Sequence, residues 1–364
     1  MSNLIDHYCS ESFWKDEDLV VMTPDNGGDA ERIFSPDIKG QLREHVLFQT
    51  SGSSGAAKWV ALSKRALLSS ATQVCEHFEV WAGDVWGLCL PIYHVGGFGV
   101  LARSYVSGCG VSHFAEKWDA SKAVAQMKVD GVTLLSLVPA QVVDIVNAGI
   151  KSPATIRAVI VGGGYLTTDL KEKAEALGWK VLPSYGMTET ASQVATGDAG
   201  DGWIDTISGW DFQLAENGCL KVRGAALLTA YVEEVDGQWS VSDALHDGWF
   251  QTKDVVELGE DKIRVVRRAD RILKILGELV DVSELEFEIS EALKLEVILL
   301  EIPDERRGVK LVPVVERAMN SDEVEMLNGY SGLRALEKFI VLEDGFPRTP
   351  LGKIDRKAVR ARVF

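Results

Sequence analysis

The sequence has no C-x-x-C pair, no long apolar run, and too little positive charge to face a polyanion. Its five cysteines (Cys9, Cys75, Cys89, Cys109 and Cys219) are odd in number and scattered. That argues against a disulfide framework or a cysteine zinc site and fits a reducing, cytoplasmic setting. The most apolar stretch, residues 132–146, is broken by Pro139, Gln141 and Asp144 and is shorter than the roughly 20 residues that span a bilayer. Residues 1–20 carry neither a basic start nor an apolar core, so no secretory signal is expected. Lys and Arg number 38 against 54 Asp and Glu, a net charge of -16 at pH 7. Binding a nucleic acid or an anionic membrane surface rests largely on cationic neutralisation of phosphate. Neither is expected as a partner, whereas a small anion in a local cationic pocket is compatible with this charge.

What is present is apolar material for real cores: 364 residues, 46% of them hydrophobic, enough for two or three domains at roughly 100–200 residues each. From residue 46 to about 184, short apolar runs (46–49, 85–90, 110–114, 132–138, 158–161, 180–183) alternate with segments of helical spacing (63–78, 119–129, 139–147, 167–177). Nearly continuous apolar strands alternating with helices predict an α/β domain with a mainly parallel sheet, and ligands at the strand carboxyl ends. From about 202 to 268 the texture changes to short strands broken by turns, which predicts a β-rich subdomain. After Asp270 a small α+β region is expected, its first helix opened by Ser283 and Glu286 at capping-box spacing. The expected division is 1–269 and 270–364.

Three turns follow strands and carry chemistry-bearing side chains. Thr50, Ser51, Gly52, Ser53, Ser54, Gly55 and Lys58 supply hydroxyls, unobstructed backbone N–H groups and one cation, the set that cradles phosphate. This is not a Walker A loop, because Lys58 is followed by Trp59 rather than Ser or Thr. Gly162, Gly163 and Gly164 form a second turn; Tyr185, Gly186, Met187, Thr188 and Glu189 form a third. An aromatic ring, a hydroxyl and a carboxylate so close together suit base stacking, phosphate bonding and hydrated magnesium. Each turn taken alone is also compatible with an ordinary polar loop.

These turns, with Leu90-Pro91-Ile92-Tyr93-His94, Gly248-Trp249-Phe250-Gln251-Thr252-Lys253-Asp254, Arg268-Ala269-Asp270 and Pro347-Arg348-Thr349-Pro350-Leu351-Gly352-Lys353, occur in one order along most of the chain. Together they resemble the adenylate-forming superfamily of acyl-CoA synthetases, carrier-protein adenylation domains and luciferases. The resemblance implies that ATP is bound by the 50–58 loop, by Tyr185 and Gly186 beside Gly163 and Gly164, and by Asp254 and Arg268 on the ribose. It implies Thr188 on phosphate, Glu189 holding Mg2+, and Lys353 bridging the attacking carboxylate and the α-phosphate. Asp270 would be the hinge of a mobile C-terminal domain, and Lys274 and Gly277 would serve the second step, in which CoA is the co-substrate.

The segment around His94, with Gly97 and Arg103, would line the acid pocket together with Gly163, Met187 and Ser192; His94 would gate it. LPIYHVGGFGVLAR and YGMTETASQV resemble most the o-succinylbenzoate:CoA ligases of menaquinone biosynthesis, and Arg103 is a candidate partner for a second carboxylate on the acid. Another aryl or fatty acid, a carrier-protein acceptor, or a non-catalytic nucleotide-binding paralogue are alternatives; a homodimer is allowed. Lys253 and Arg267 stand where the family commonly has Gly, Ala57 and Val282 where it commonly has Pro. The phosphate loop also begins early, at Thr50, so the family's N-terminal subdomain is expected to be shortened.

Overall fold

A computed structural model describes residues 2–24, 34–51, 57–114, 118–275, 278–304, 308–330, 333, 339–349, 352 and 354–364. The first of two compact units comprises Met1–Gln213, Lys221–Gln251 and Leu258–Arg264; the second comprises Leu214–Leu220, Thr252–Glu257 and Val265–Phe364. The chain runs through strands β1 (Val20–Met22), β2 (His45–Ser51), β3 (Ala57–Ser63), β4 (Val85–Leu88), β5 (Gly110–His113), β6 (Leu134–Leu137), β7 (Ala158–Val161), β8 (Val181–Met187) and β9 (Ser192–Thr196). The turn-rich region adds β10 (Ile204–Asp205), β11 (Trp210–Leu214), β12 (Cys219–Gly224), β13 (Ala230–Val235), β14 (Gln238–Ser242), β15 (Phe250–Gly259) and β16 (Lys262–Arg268). Helices up to this point are α1 (Ser2–Tyr8), α2 (Glu11–Lys15), α3 (Pro36–Gln41), α4 (Lys64–His77), α5 (Val95–Ser107), α6 (Ala120–Val129), α7 (Pro139–Asn147) and α8 (Thr168–Ala176).

The alternating segment folds as its pattern predicts. Strands are ordered β5-β4-β6-β7-β8-β9, parallel from β5 to β8 and antiparallel only at β9. All four residues of β6 and of β7 are buried, as expected of strands covered by helices on both faces. Three of the helices begin where a side chain satisfies an orphan N–H: Ser63 accepts from Ala66 at α4, Asp119 from Lys122 at α6 and Thr167 from Leu170 at α8. Among the described residues, no helix is long and apolar enough to cross a membrane.

One expectation is corrected. Residues 46–49 do not join the parallel sheet. They lie in a second sheet of order β1-β2-β3-β13-β14, because the chain turns back after Ser51 and pairs β2 with β3 antiparallel, Thr50 opposite Lys58. The run Trp59-Val60-Ala61-Leu62, buried throughout, is a strand that the sequence reading passed over on the way to α4. Its burial over Leu47, Ile38 and Val232 gives this sheet its own core.

The second unit contains β17 (Ile272–Ile275), β18 (Glu278–Asp281), α9 (Val282–Leu293), β19 (Ile298–Asp304), β20 (Gly308–Val315), α10 (Ser321–Asn328), β21 (Ile340–Val341) and α11 (Arg356–Val363). Helix α9 is not opened by a box of Ser283 and Glu286. Asp281 caps it, accepting from the backbone N–H groups of Ser283 and Glu284. Glu286 is buried instead and accepts from Arg271, Arg356 and the Leu299 N–H, so its charge is fully answered inside the unit.

Candidate active site

The two ends of the 50–58 loop are held by the β2–β3 ladder. Gly52, Ser53, Ser54 and Gly55 lie outside the described residues, but Thr50 and Lys58 are placed. Thr50 Oγ1 donates to the Lys58 carbonyl at 3.3 Å. Lys58 Nζ sits 2.9 Å from Glu233 Oε1, its direct partner across the β13–β3 pairing, and 3.3 Å from the centre of the Tyr231 ring. On its other side Tyr231 donates its hydroxyl to Glu189 Oε1 at 2.9 Å. Burial, then Glu189 and Glu233, push the Tyr231 phenol up, so it stays a protonated donor. Sequence reading named Lys58 and Glu189 but missed Tyr231 and Glu233. The signal available was their i, i+2 spacing, which places both on one face of a strand.

Strand β8 carries the third turn. The parallel pairing with β7 ends at Pro183; Tyr185, half-buried, pairs with Ala195 of β9, and that antiparallel ladder shifts register between Tyr185 and Gly186. A Cβ on Gly186 would lie 1.7 Å from the Ser192 carbonyl oxygen, so only glycine passes here. Thr188, Glu189 and Thr190 then form a single 3-10 turn. Thr190, fully buried, locks it: its hydroxyl donates to the Met187 and Ser192 carbonyls, and Met187 N–H donates to Thr190 Oγ1. The Leu228 N–H holds the Glu189 carbonyl at 2.8 Å. Gly163 and Gly164 follow β7 and are exposed, at the carboxyl end of the strand beside β8, where the sheet pattern predicted a ligand site.

A second cluster is built around Arg103 on α5. The helix opens at His94, which is its N-cap and packs against the Tyr93 ring at 4.7 Å. A Cβ at Gly97 would fall 2.3 Å from the Pro91 carbonyl oxygen, which accounts for the small residues at the start of α5. Arg103 is 1% exposed. Its Nη1 donates to Ser136 Oγ and its Nη2 to Ser192 Oγ, both at 3.4 Å, and its guanidinium lies 5.0 Å from the Trp86 ring centre. Among the described residues, Nε has no partner and no carboxylate pairs with the group. Burial lowers its pKa to about 10, so at neutral pH it is a buried, charged and under-satisfied donor.

In the second unit, Asp254 is buried and accepts from Arg268 Nη1 at 3.1 Å. Arg268 also makes a two-point contact with Asp270, through Nε at 3.0 Å and Nη2 at 3.1 Å. Lys253 stands 3.3 Å from the same carboxylate. Burial opposes ionisation of Asp270, but Arg268 and Lys253 outweigh it and hold the carboxyl below its ordinary range. Lys274 lies within β17; Gly277 and Lys353 fall outside the described residues.

A family model for AMP-binding enzymes matches residues 43–213, the stretch that contains the phosphate-loop ladder, Arg103 and the Tyr185–Glu189 turn. Similarity to known proteins extends well beyond the matched stretch. A 2-succinylbenzoate--CoA ligase of Listeria monocytogenes serovar 1/2a is 25% identical over 338 residues, covering 88% of this chain and 70% of the relative. The Escherichia coli K12 protein of the same name is 30% identical over 272 residues, covering 73% of this chain and 57% of the relative. Among solved structures, the o-succinylbenzoate coenzyme A synthetase of Bacillus subtilis in complex with ATP and magnesium ion matches with a TM-score of 0.74. It is 22% identical, and the match covers 86% of this chain and 69% of that one. The fold is thus shared with that structure, of which this chain covers 69%.

Proposed function

We propose that the chain is an ATP-dependent acid:CoA ligase that activates o-succinylbenzoate. The observation that carries this reading is Arg103: a buried guanidinium with no acidic partner among the described residues is costly in a core, and it is explained if a ligand carboxylate completes it. A carboxylate cannot be displaced by a thiol directly, because its oxygen is a poor leaving group. Attack of the carboxylate on the α-phosphorus of ATP expels pyrophosphate and gives a mixed anhydride; the CoA thiol then attacks its carbonyl and releases AMP.

The chain's residues fit those steps. Lys58 and Thr188 are the cation and hydroxyl for the phosphates, and Tyr185 is the ring for adenine beside Gly163, Gly164 and Gly186. Asp254, an acceptor beside Arg268, suits two ribose hydroxyls. Glu189 suits Mg2+: Tyr231 occupies Oε1, Oε2 has no partner among the described residues, and no group of three or more His, Cys, Asp or Glu competes there. One carboxylate plus phosphate oxygens is the set magnesium favours. When bound, the ion neutralises charge on the phosphates. Lys353 is assigned to the carboxylate and α-phosphate during the first step, Asp270 to the hinge, and Lys274 and Gly277 to the second step. His94, Gly97, Met187 and Ser192 are assigned with Arg103 to the acid pocket.

Five cysteines, none in a disulfide, fit a cytoplasmic enzyme. A homodimer, allowed by the family resemblance, is tested by light scattering. The functional test is formation of AMP and acyl-CoA from ATP and CoA with o-succinylbenzoate, beside benzoate and a medium-chain fatty acid. Selective turnover of o-succinylbenzoate supports the reading; turnover only of another acid overturns the substrate.

A further inference from the structure

Tyr231 touches both charged groups that the nucleotide reading needs in the first unit. Its ring face carries Lys58 Nζ at 3.3 Å and its hydroxyl reaches Glu189 Oε1 at 2.9 Å. Its strand fixes this placement: Tyr231 is paired with Val60 and Glu233 with Lys58, so ring and carboxylate both stand on the face along which the lysine runs. The Lys58 to Glu233 ion pair at 2.9 Å keeps the ammonium over the ring. A cation over a tyrosine face is attracted by the negative face of the ring, and a phenol donating to a carboxylate forms a charge-assisted bond.

We infer that Tyr231 is a positioning residue that couples the phosphate-binding lysine to the magnesium-binding glutamate, holding both in place before nucleotide arrives. This rests on the nucleotide-site reading given above. A carboxylate fixed through one oxygen presents the other in a set direction, and outer partners of this kind typically govern metal affinity by about 10- to 100-fold. The ring and the hydroxyl act on different groups, so the two halves of the role separate by mutation.

The experiment is calorimetric titration of the full chain with ATP, in EDTA and across a Mg2+ series. Y231F keeps the ring and loses the donor. It should raise the Mg2+ concentration that half-maximally tightens ATP binding about tenfold, while ATP binding in EDTA stays as in the unmodified chain. Y231A should also weaken ATP binding in EDTA, because Lys58 loses its support. In an E189Q background, Y231F should add nothing. An unchanged Mg2+ dependence in Y231F, or an equal loss with and without Mg2+, overturns the inference while leaving the nucleotide site intact. Failure of the unmodified chain to bind ATP overturns both.

Discussion

Arg103 Nη2 lies 3.4 Å from Ser192 Oγ, and Ser192 is held at φ 118, a backbone conformation that L side chains rarely adopt. A strained serine and an under-satisfied guanidinium thus meet at one point, the kind of locally costly arrangement that clusters at functional sites. Replacement of Arg103 by Ala is expected to raise KM for o-succinylbenzoate by roughly 10- to 100-fold, as loss of a charge-assisted two-point contact predicts. Relative activity toward benzoate, which has no second carboxylate, should change little. Steady-state kinetics on the two acids checks this; equal losses on both would remove Arg103 from substrate recognition.

The same group gives a stability prediction of opposite sign. Arg103→Met keeps a similar volume and removes a buried charge that no carboxylate among the described residues pairs, and an uncompensated buried charge is destabilising. The variant should melt no lower than the parent and turn over o-succinylbenzoate poorly. A clear fall in melting temperature would mean that the guanidinium is structural.

Gly186→Ala should abolish nucleotide binding. Its methyl would lie 1.7 Å from the Ser192 carbonyl oxygen, backbone against backbone, so the β8–β9 bulge must open and carry Tyr185 and Glu189 away. Overpacking of this kind costs about 3 kcal/mol or more. Loss of ATP binding by calorimetry with a lower melting temperature is the expected result.

Lys353→Ala should remove adenylation, with at least a roughly 10²-fold fall in pyrophosphate release, yet spare thioester formation from supplied acyl-adenylate. Equal loss in both half-reactions would contradict separate arrangements for the two steps.

Asp84 gives a pH signature. Burial alone would raise its pKa, but Arg157, Thr133 and the Trp81 N–H outweigh burial and hold the carboxyl below its ordinary 3.8. Asp84 binds its proton more weakly folded than unfolded, so its contribution is complete above about pH 4 and is lost as pH falls through the lower folded value. Asp84→Asn should cost about 2 kcal/mol at neutral pH and flatten the acid limb of stability below pH 4. Denaturant titrations from pH 2 to 7 measure both.

Local chemistry made much of this protein legible in advance. The apolar runs at 134–137 and 158–161 are strands because nothing in them can face water, and Ser63, Asp119 and Thr167 start helices because each supplies an oxygen one turn ahead of an apolar stripe. The turns bearing Lys58, Gly163 and Tyr185 were visible as small and polar residues after such strands. What the sequence did not disclose is pairing across distance. That 46–49 leaves the parallel sheet depends on the hairpin with 57–63, whose apolar run reads equally as strand or helix. Tyr231 and Glu233 acquire meaning only because β13 docks beside β3, more than 160 residues earlier in the chain. Glu286, spaced for a capping box, is taken instead by Arg271 and Arg356. In each case the local signal was satisfied by more than one partner, and only burial in the folded chain, where an unanswered charge or amide is costly, decided which.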